Sequence, residues 1–265
     1  MIYIQPGAVY DTDRPTVIYD NLFTQGALTG TAAAGFPKEN AFTGSTWDYW
    51  QAVDDTTRTI GVDLSSQEDA DCLFIDAHDA ATVGAEFRVR YSTDGGSSYS
   101  TATDWIAPTD NSPIMVLFPS RTGNSWQIQT RNGPAKVGVI MLGPKLAFEY
   151  GVNDMVSFRH GERIEVMGGN SLGGQFLGQK IRRKGGNTSL SFPWLSANWV
   201  NNDMAMFEDH YNSGLPFGFA LRPDYDADEL AYCWRPDNGG ELRPQYQQNG
   251  QAFTMNMQVE YYVAT

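Results

Sequence analysis

The chain has 265 residues, 31 acidic against 18 basic side chains for a net charge of −13, and 41% hydrophobic and 13% aromatic content. The apolar fraction excludes a disordered chain, the lack of any apolar run of about 18 residues excludes a membrane-spanning helix, and the acidity excludes general nucleic-acid binding. The length suits two domains at roughly 100–200 residues each.

Residues 1–16 read as an N-terminal arm, and Met1–Pro6 lacks the basic and long apolar regions of a secretion signal. Helical periodicity is nearly absent from the first half, so the base class is β. Cys72-Leu73-Phe74-Ile75 and Val137–Leu142 are short continuous apolar runs of the buried-strand type. Between them, Ala85, Phe87, Val89 and Tyr91 alternate with Glu86, Arg88 and Arg90 before the turn Asp94-Gly95-Gly96. Trp126, Ile128 and Thr130 alternate with Gln127, Gln129 and Arg131 in the same way. The pattern changes at Gly143–Gly151, which sets the domain boundary at 148/149. Val200, Met204, Phe207 and Tyr211 recur at helical spacing, predicting one helix over about 197–212 with Ser196 as N-cap and Gly214 as stop. Phe253 to Val263 alternates strictly and reads as a long half-buried strand. Cys72 and Cys233 fall one in each half and read as buried free thiols.

Gly35-Phe36-Pro37-Lys38-Glu39-Asn40-Ala41, leading through Gly44-Ser45-Thr46 to Trp47-Asp48-Tyr49-Trp50, resembles the opening of discoidin-type domains, the galactose-binding-like jelly rolls. Arg58–Leu64, ending in Val62-Asp63-Leu64, and the strands at 73–75, 87–91 and 140–143 follow in the order of that family. The resemblance covers residues 17–148 and implies a jelly-roll β-sandwich that recognises a sugar, a lipid or a protein through loops at one end. Trp47 and Tyr49 are the glycan-stacking candidates, and Trp50 matches a position that such domains bury.

From Leu142-Gly143-Pro144 onward the chain resembles a C-terminal domain of tail proteins from long-tailed bacteriophages. The residues that carry this are Ser171–Gly178, Arg182-Arg183-Lys184-Gly185, the helix from Trp199 to His210, Gly214-Leu215-Pro216-Phe217, Tyr232-Cys233-Trp234 and the final strand. The resemblance implies a second β-sandwich-like domain over 149–265 with one α-helix. It also implies a virion structural protein near the distal end of the tail, made in the host cytoplasm. Its partners would be other tail proteins and copies of itself in a three-fold or six-fold ring, with a host surface glycan as a further ligand. The alternative is a carbohydrate-binding module or adhesin, and the third reading is a glycan-degrading enzyme.

Lys180, Arg182, Arg183 and Lys184 form the dense basic cluster of an acidic chain and are candidates for a subunit interface; Asp224, Asp226, Asp228 and Glu229 are the complementary candidates. Catalytic chemistry has little support. Gly169-Asn170-Ser171-Leu172-Gly173 spells a nucleophile elbow, but a strand rather than a helix is expected after it. His78, His160 and His210 form no metal-ligand spacing, and Asp54, Asp55, Glu68, Asp69 and Asp71 match no calcium loop. The expectation is therefore no catalytic residue, no metal, no cofactor, no nucleic acid and no membrane insertion.

Overall fold

The computed structural model describes residues 1–11, 13–155, 157, 158, 160–223, 229–247 and 252–263, and the side chains of all of these except 182–184. The fold is mainly β, with two eight-stranded sheets among the described residues. Both are antiparallel except where Ile2–Ile4 runs parallel to Met115–Leu117.

Two long strands, Arg58–His78 and Ile114–Arg131, organise the first sheet. Their pairing is irregular between Asp63 and Glu68 and between Ala70 and Cys72, which divides each into two legs. Ile60, Val62 and Trp126 from one leg and Leu73, Ile75 and Val116 from the other meet in a single core, so the sheet folds over on itself. Lys136–Gly143 pairs with the second leg, and Glu86–Ser92 with the first.

The second leg explains the continuous apolar runs. Leu73, Ile75, Val116, Ile140 and Leu142 enter the first core, while Cys72, Phe74, Met115, Leu117, Val139 and Met141 pack against Ile18, Ala220, Leu230 and Tyr232 of the second sheet. Strands buried on both faces lose the alternation of a half-solvated strand. Both cysteines are free and buried, as the sequence suggests.

The second sheet runs in the order Leu146–Ala147, Thr16–Ile18, Phe217–Ala220, Leu230–Trp234, Ala252–Tyr261, Phe176–Ser196, Glu162–Asn170. Its core is aromatic: the Phe148 ring lies 4.4 Å from Phe192 and 5.1 Å from Trp199. Thr16–Ile18 pairs with both Leu146–Ala147 and Phe217–Ala220. The segment around residue 17, expected to open the first domain, therefore builds the sheet of the second. The expected N-terminal arm carries Ile2–Ile4, a strand of the first sheet.

The single expected helix is two helices, Ala197–Asn202 and Ala205–Asn212. Ser196 caps the first by accepting the Trp199 N–H at 3.2 Å. The break falls at Asp203-Met204, where both N–H groups turn back to the Trp199 carbonyl. Asn201, Asn202 and Asp203 favour such an ending because their side chains compete for backbone groups; Asn202 Nδ2 donates to the Asn198 carbonyl.

Candidate functional site

The strand Phe176–Ser196 pairs with Ala252–Tyr261 only from Gly186 onward. Before that point its sole neighbour among the described residues is Glu162–Asn170, so residues 162–185 leave the body as a two-stranded arm about 30 Å long. Every residue of Glu162–Asn170 is exposed. The arm nonetheless carries large apolar side chains: Val166 sits opposite Ile181, and Met167, Leu172, Phe176 and Leu177 project further out. Phe176 is 67% and Leu177 68% exposed, an uncommon concentration of apolar surface on a free hairpin.

The tip of the arm holds the elbow-like motif. Ser171 Oγ accepts the Gln175 N–H at 3.1 Å, the Ser171 N–H bonds the Gln175 carbonyl, and Gly174 takes φ +79°. Strand, turn and strand follow one another, so Ser171 closes a hairpin turn and lacks the helix an elbow uses. Lys180 is exposed on the arm. The side chains of Arg182, Arg183 and Lys184 lie outside the described residues, although their backbone is in the same strand. Residues 162–185 hold five basic and two acidic side chains in a chain of net charge −13, so the arm is a basic element on an acidic body.

The acidic candidates divide. Asp224, Asp226 and Asp228 lie outside the described residues. Glu229 is buried, and its carboxylate accepts the Phe158 N–H at 2.9 Å. It is therefore an internal strut, which corrects its reading as an interface residue. A buried backbone N–H needs an acceptor, and Glu229 supplies it.

At the other candidate site, local hydrogen bonds shape the loop that displays Trp47. Ser45 Oγ accepts the Trp47 N–H at 3.1 Å, Thr43 Oγ1 accepts the Ser45 N–H at 3.2 Å, and Asn40 Nδ2 donates to the Tyr49 carbonyl at 3.1 Å. The loop leans on the second sheet, where Tyr232 Oη donates to the Gly44 carbonyl at 2.9 Å. Trp47 is 87% exposed. Beside it, Gly44, Ser45 and Thr46 form one wall of a 550 Å³ groove whose other wall includes Pro216, Trp234, Arg235 and Asp237.

Tyr49 is placed differently. Its ring stacks on Phe36 at 4.8 Å, and Lys136 Nζ lies 5.1 Å from the ring centroid, so it is a half-buried packing residue rather than an open platform. Trp50 is fully buried and donates to the Thr31 carbonyl at 2.9 Å, as its family position implies.

A second cleft, of 460 Å³, is lined by Tyr19, Asp20, Met141, His210, Pro216 and Tyr232, among others. His210 bonds the Pro216 carbonyl at 2.9 Å, and burial lowers its pKa, so it holds the helix to the following strand as a neutral ring. Among the described residues, no group of three or more His, Cys, Asp or Glu side chains could hold a metal ion. The loop acids are otherwise engaged: Asp54 pairs with Arg58, Asp71 with Lys145, and Asp69 with Thr122.

No family model and no curated protein matches the chain. Among solved structures, chitosan-binding module 1 from the chitosanase/glucanase of Paenibacillus sp. IK-5 aligns at TM-score 0.39 and 19% identity, over 47% of this chain and 98% of that one. The CBM32 of AlyQ, in complex with 4,5-unsaturated mannuronic acid, aligns at 0.38 and 17%, over 47% and 95%. CpGH89CBM32-6, produced by Clostridium perfringens, aligns at 0.40 and 13%, over 46% and 98%. Each of these alignments reaches less than half of this chain.

Proposed function

We propose that the protein is a structural subunit of a larger assembly, and that its arm docks on a neighbouring copy of the same chain. The observation that carries this reading is the exposed apolar hairpin of residues 162–185. A basic arm meeting an acidic body gives charge complementarity between identical subunits, and head-to-tail docking of this kind closes into rings. The setting we propose is the distal end of a bacteriophage tail; the resemblance carried by 142–265 supports that setting.

Two substitutions test the docking. Val166→Glu with Leu177→Glu is expected to turn an oligomer into a monomer without changing the melting temperature. Burial of two such side chains at about 1.5–3 kcal/mol each implies at least ~100-fold weaker association. A wild-type chain that sediments as a monomer at tens of micromolar would remove the docking. Antibody labelling of purified particles tests the setting separately, and a tail without label removes it.

Carbohydrate binding is the second reading, and Trp47 favours it: an exposed indole next in sequence to the Gly44-Ser45-Thr46 wall of a groove offers a broad apolar face to a sugar ring. The descriptions of the chitosan-binding and CBM32 structures give carbohydrate binding for those proteins. Trp47→Ala is expected to abolish retention on host surface polysaccharide while changing stability by less than about 0.5 kcal/mol. Unaltered retention would exclude this platform.

A further inference from the structure

On the strand Glu86–Ser92, Phe87 and Val89 enter the core while Glu86, Arg88 and Arg90 point to the opposite face. Register places Gln129 opposite Arg88, Gln127 opposite Arg90, and Arg131 opposite Glu86. Thr59 continues the row beyond Gln129.

This outer face is a built one. The guanidiniums of Arg88 and Arg131 lie 4.4 Å and 4.1 Å from the ring centroid of Trp105. Gln129, itself buried, accepts the Arg88 Nε–H at 2.7 Å. Arg90 Nη2 donates to the Tyr99 carbonyl at 2.6 Å, and its buried Nε has no acceptor. Packing and hydrogen bonds thus fix both arginines before any ligand arrives, which lowers the ordering cost of binding.

Their charge is not neutralised. Arg131 has Glu86 at 2.6 Å. Neither Arg88 nor Arg90 forms an ion pair with a carboxylate among the described residues. The two stand about 7 Å apart along one strand. Burial, followed by the like charges of Arg90 and Arg131, disfavours the cationic form of Arg88. An oxyanion relieves that repulsion, and two guanidiniums offer it forked donors. The acidic remainder of the surface repels a long phosphate polymer, whereas Gln127 and Thr59 on the same face suit sugar hydroxyls.

We propose that Arg88 and Arg90 form a binding site for a saccharide bearing an oxyanion, either carboxylate or sulfate. The site stands apart from the arm and from Trp47, and depends on neither reading above. Calorimetric titration of the full chain at low salt with a galacturonate oligomer, a sulfated oligosaccharide, a neutral oligosaccharide and inorganic sulfate tests it. At least one charged oligosaccharide is expected to bind, the preferred one identifying the group. Arg88→Gln and Arg90→Gln should each weaken that binding at least 10-fold, and Trp47→Ala should leave it unchanged. Gln127→Glu, which places a carboxylate opposite Arg90, should keep the fold and also lose the ligand. Failure of both charged oligosaccharides to bind overturns the proposal, as does indifference to all three substitutions or equal affinity for free sulfate.

Discussion

Between about pH 4 and about pH 7, the unfolding free energy of the wild-type chain is expected to fall by about 3 kcal/mol relative to that of Asp76→Asn. Asp76 is fully buried on the side of its strand that faces the second sheet. One carboxylate oxygen accepts the Ala77 N–H at 2.7 Å and the other has no partner. Burial pushes its pKa from 3.8 up to about 7, against the smaller opposing pull of the Ala77 hydrogen bond and the N-terminal amine. Burial first, and the charge of Asp76 second, raises the pKa of Tyr232, Cys233 and Tyr262. Below the unfolded value both states hold the proton. Between the two values only the folded state keeps it, so stability drains away as pH rises and levels off once Asp76 ionises in place. Asparagine keeps the acceptor for Ala77 and cannot ionise. Urea melts at three pH values across this window measure the difference, and parallel profiles for the two chains would falsify the assignment.

Phe148→Ala is expected to destabilise the chain by about 3–5 kcal/mol. Phe148 is fully buried, with Phe192, Trp199, Phe207 and Phe219 all within 6.4 Å between ring centroids. Its N–H also bonds the Pro15 carbonyl at 2.9 Å, tying it to the residue just before the strand Thr16–Ile18. Removing the ring leaves a cavity among rigid aromatic neighbours that have little room to collapse. Near-ultraviolet circular dichroism through a thermal melt reads the change; a loss under 1 kcal/mol would mean that the cluster refills.

The sequence made the local patterns legible. Phe253, Met255, Met257, Val259 and Tyr261 are all buried, as their alternation requires. Trp50 also lies where its motif implies. Long-range pairing left no such trace: Thr16–Ile18 joins partners at 146–147 and 217–220, and nothing in three residues records a partner that distant. Tyr49 and Trp47 illustrate the same limit, since one aromatic finds Phe36 and the other finds water. The basic residues of the arm stood out as a charge cluster. Its apolar residues drew less notice because glycines and glutamines separate them, and only the absence of a second neighbouring strand makes them conspicuous. Arg88 and Arg90 are visible as the polar half of an alternating strand; Trp105, which holds Arg88, is 17 residues from it, and Tyr99, which holds Arg90, is nine residues from that one.

The second sheet takes its strand 16–18 from before the first sandwich and its strand 146–147 from after it, and the two lie side by side with Val17 opposite Leu146. The chain thus leaves and re-enters the second sheet at points about 5 Å apart. One antiparallel strand pair therefore clamps both ends of the segment 19–145, which carries seven of the eight strands of the first sheet.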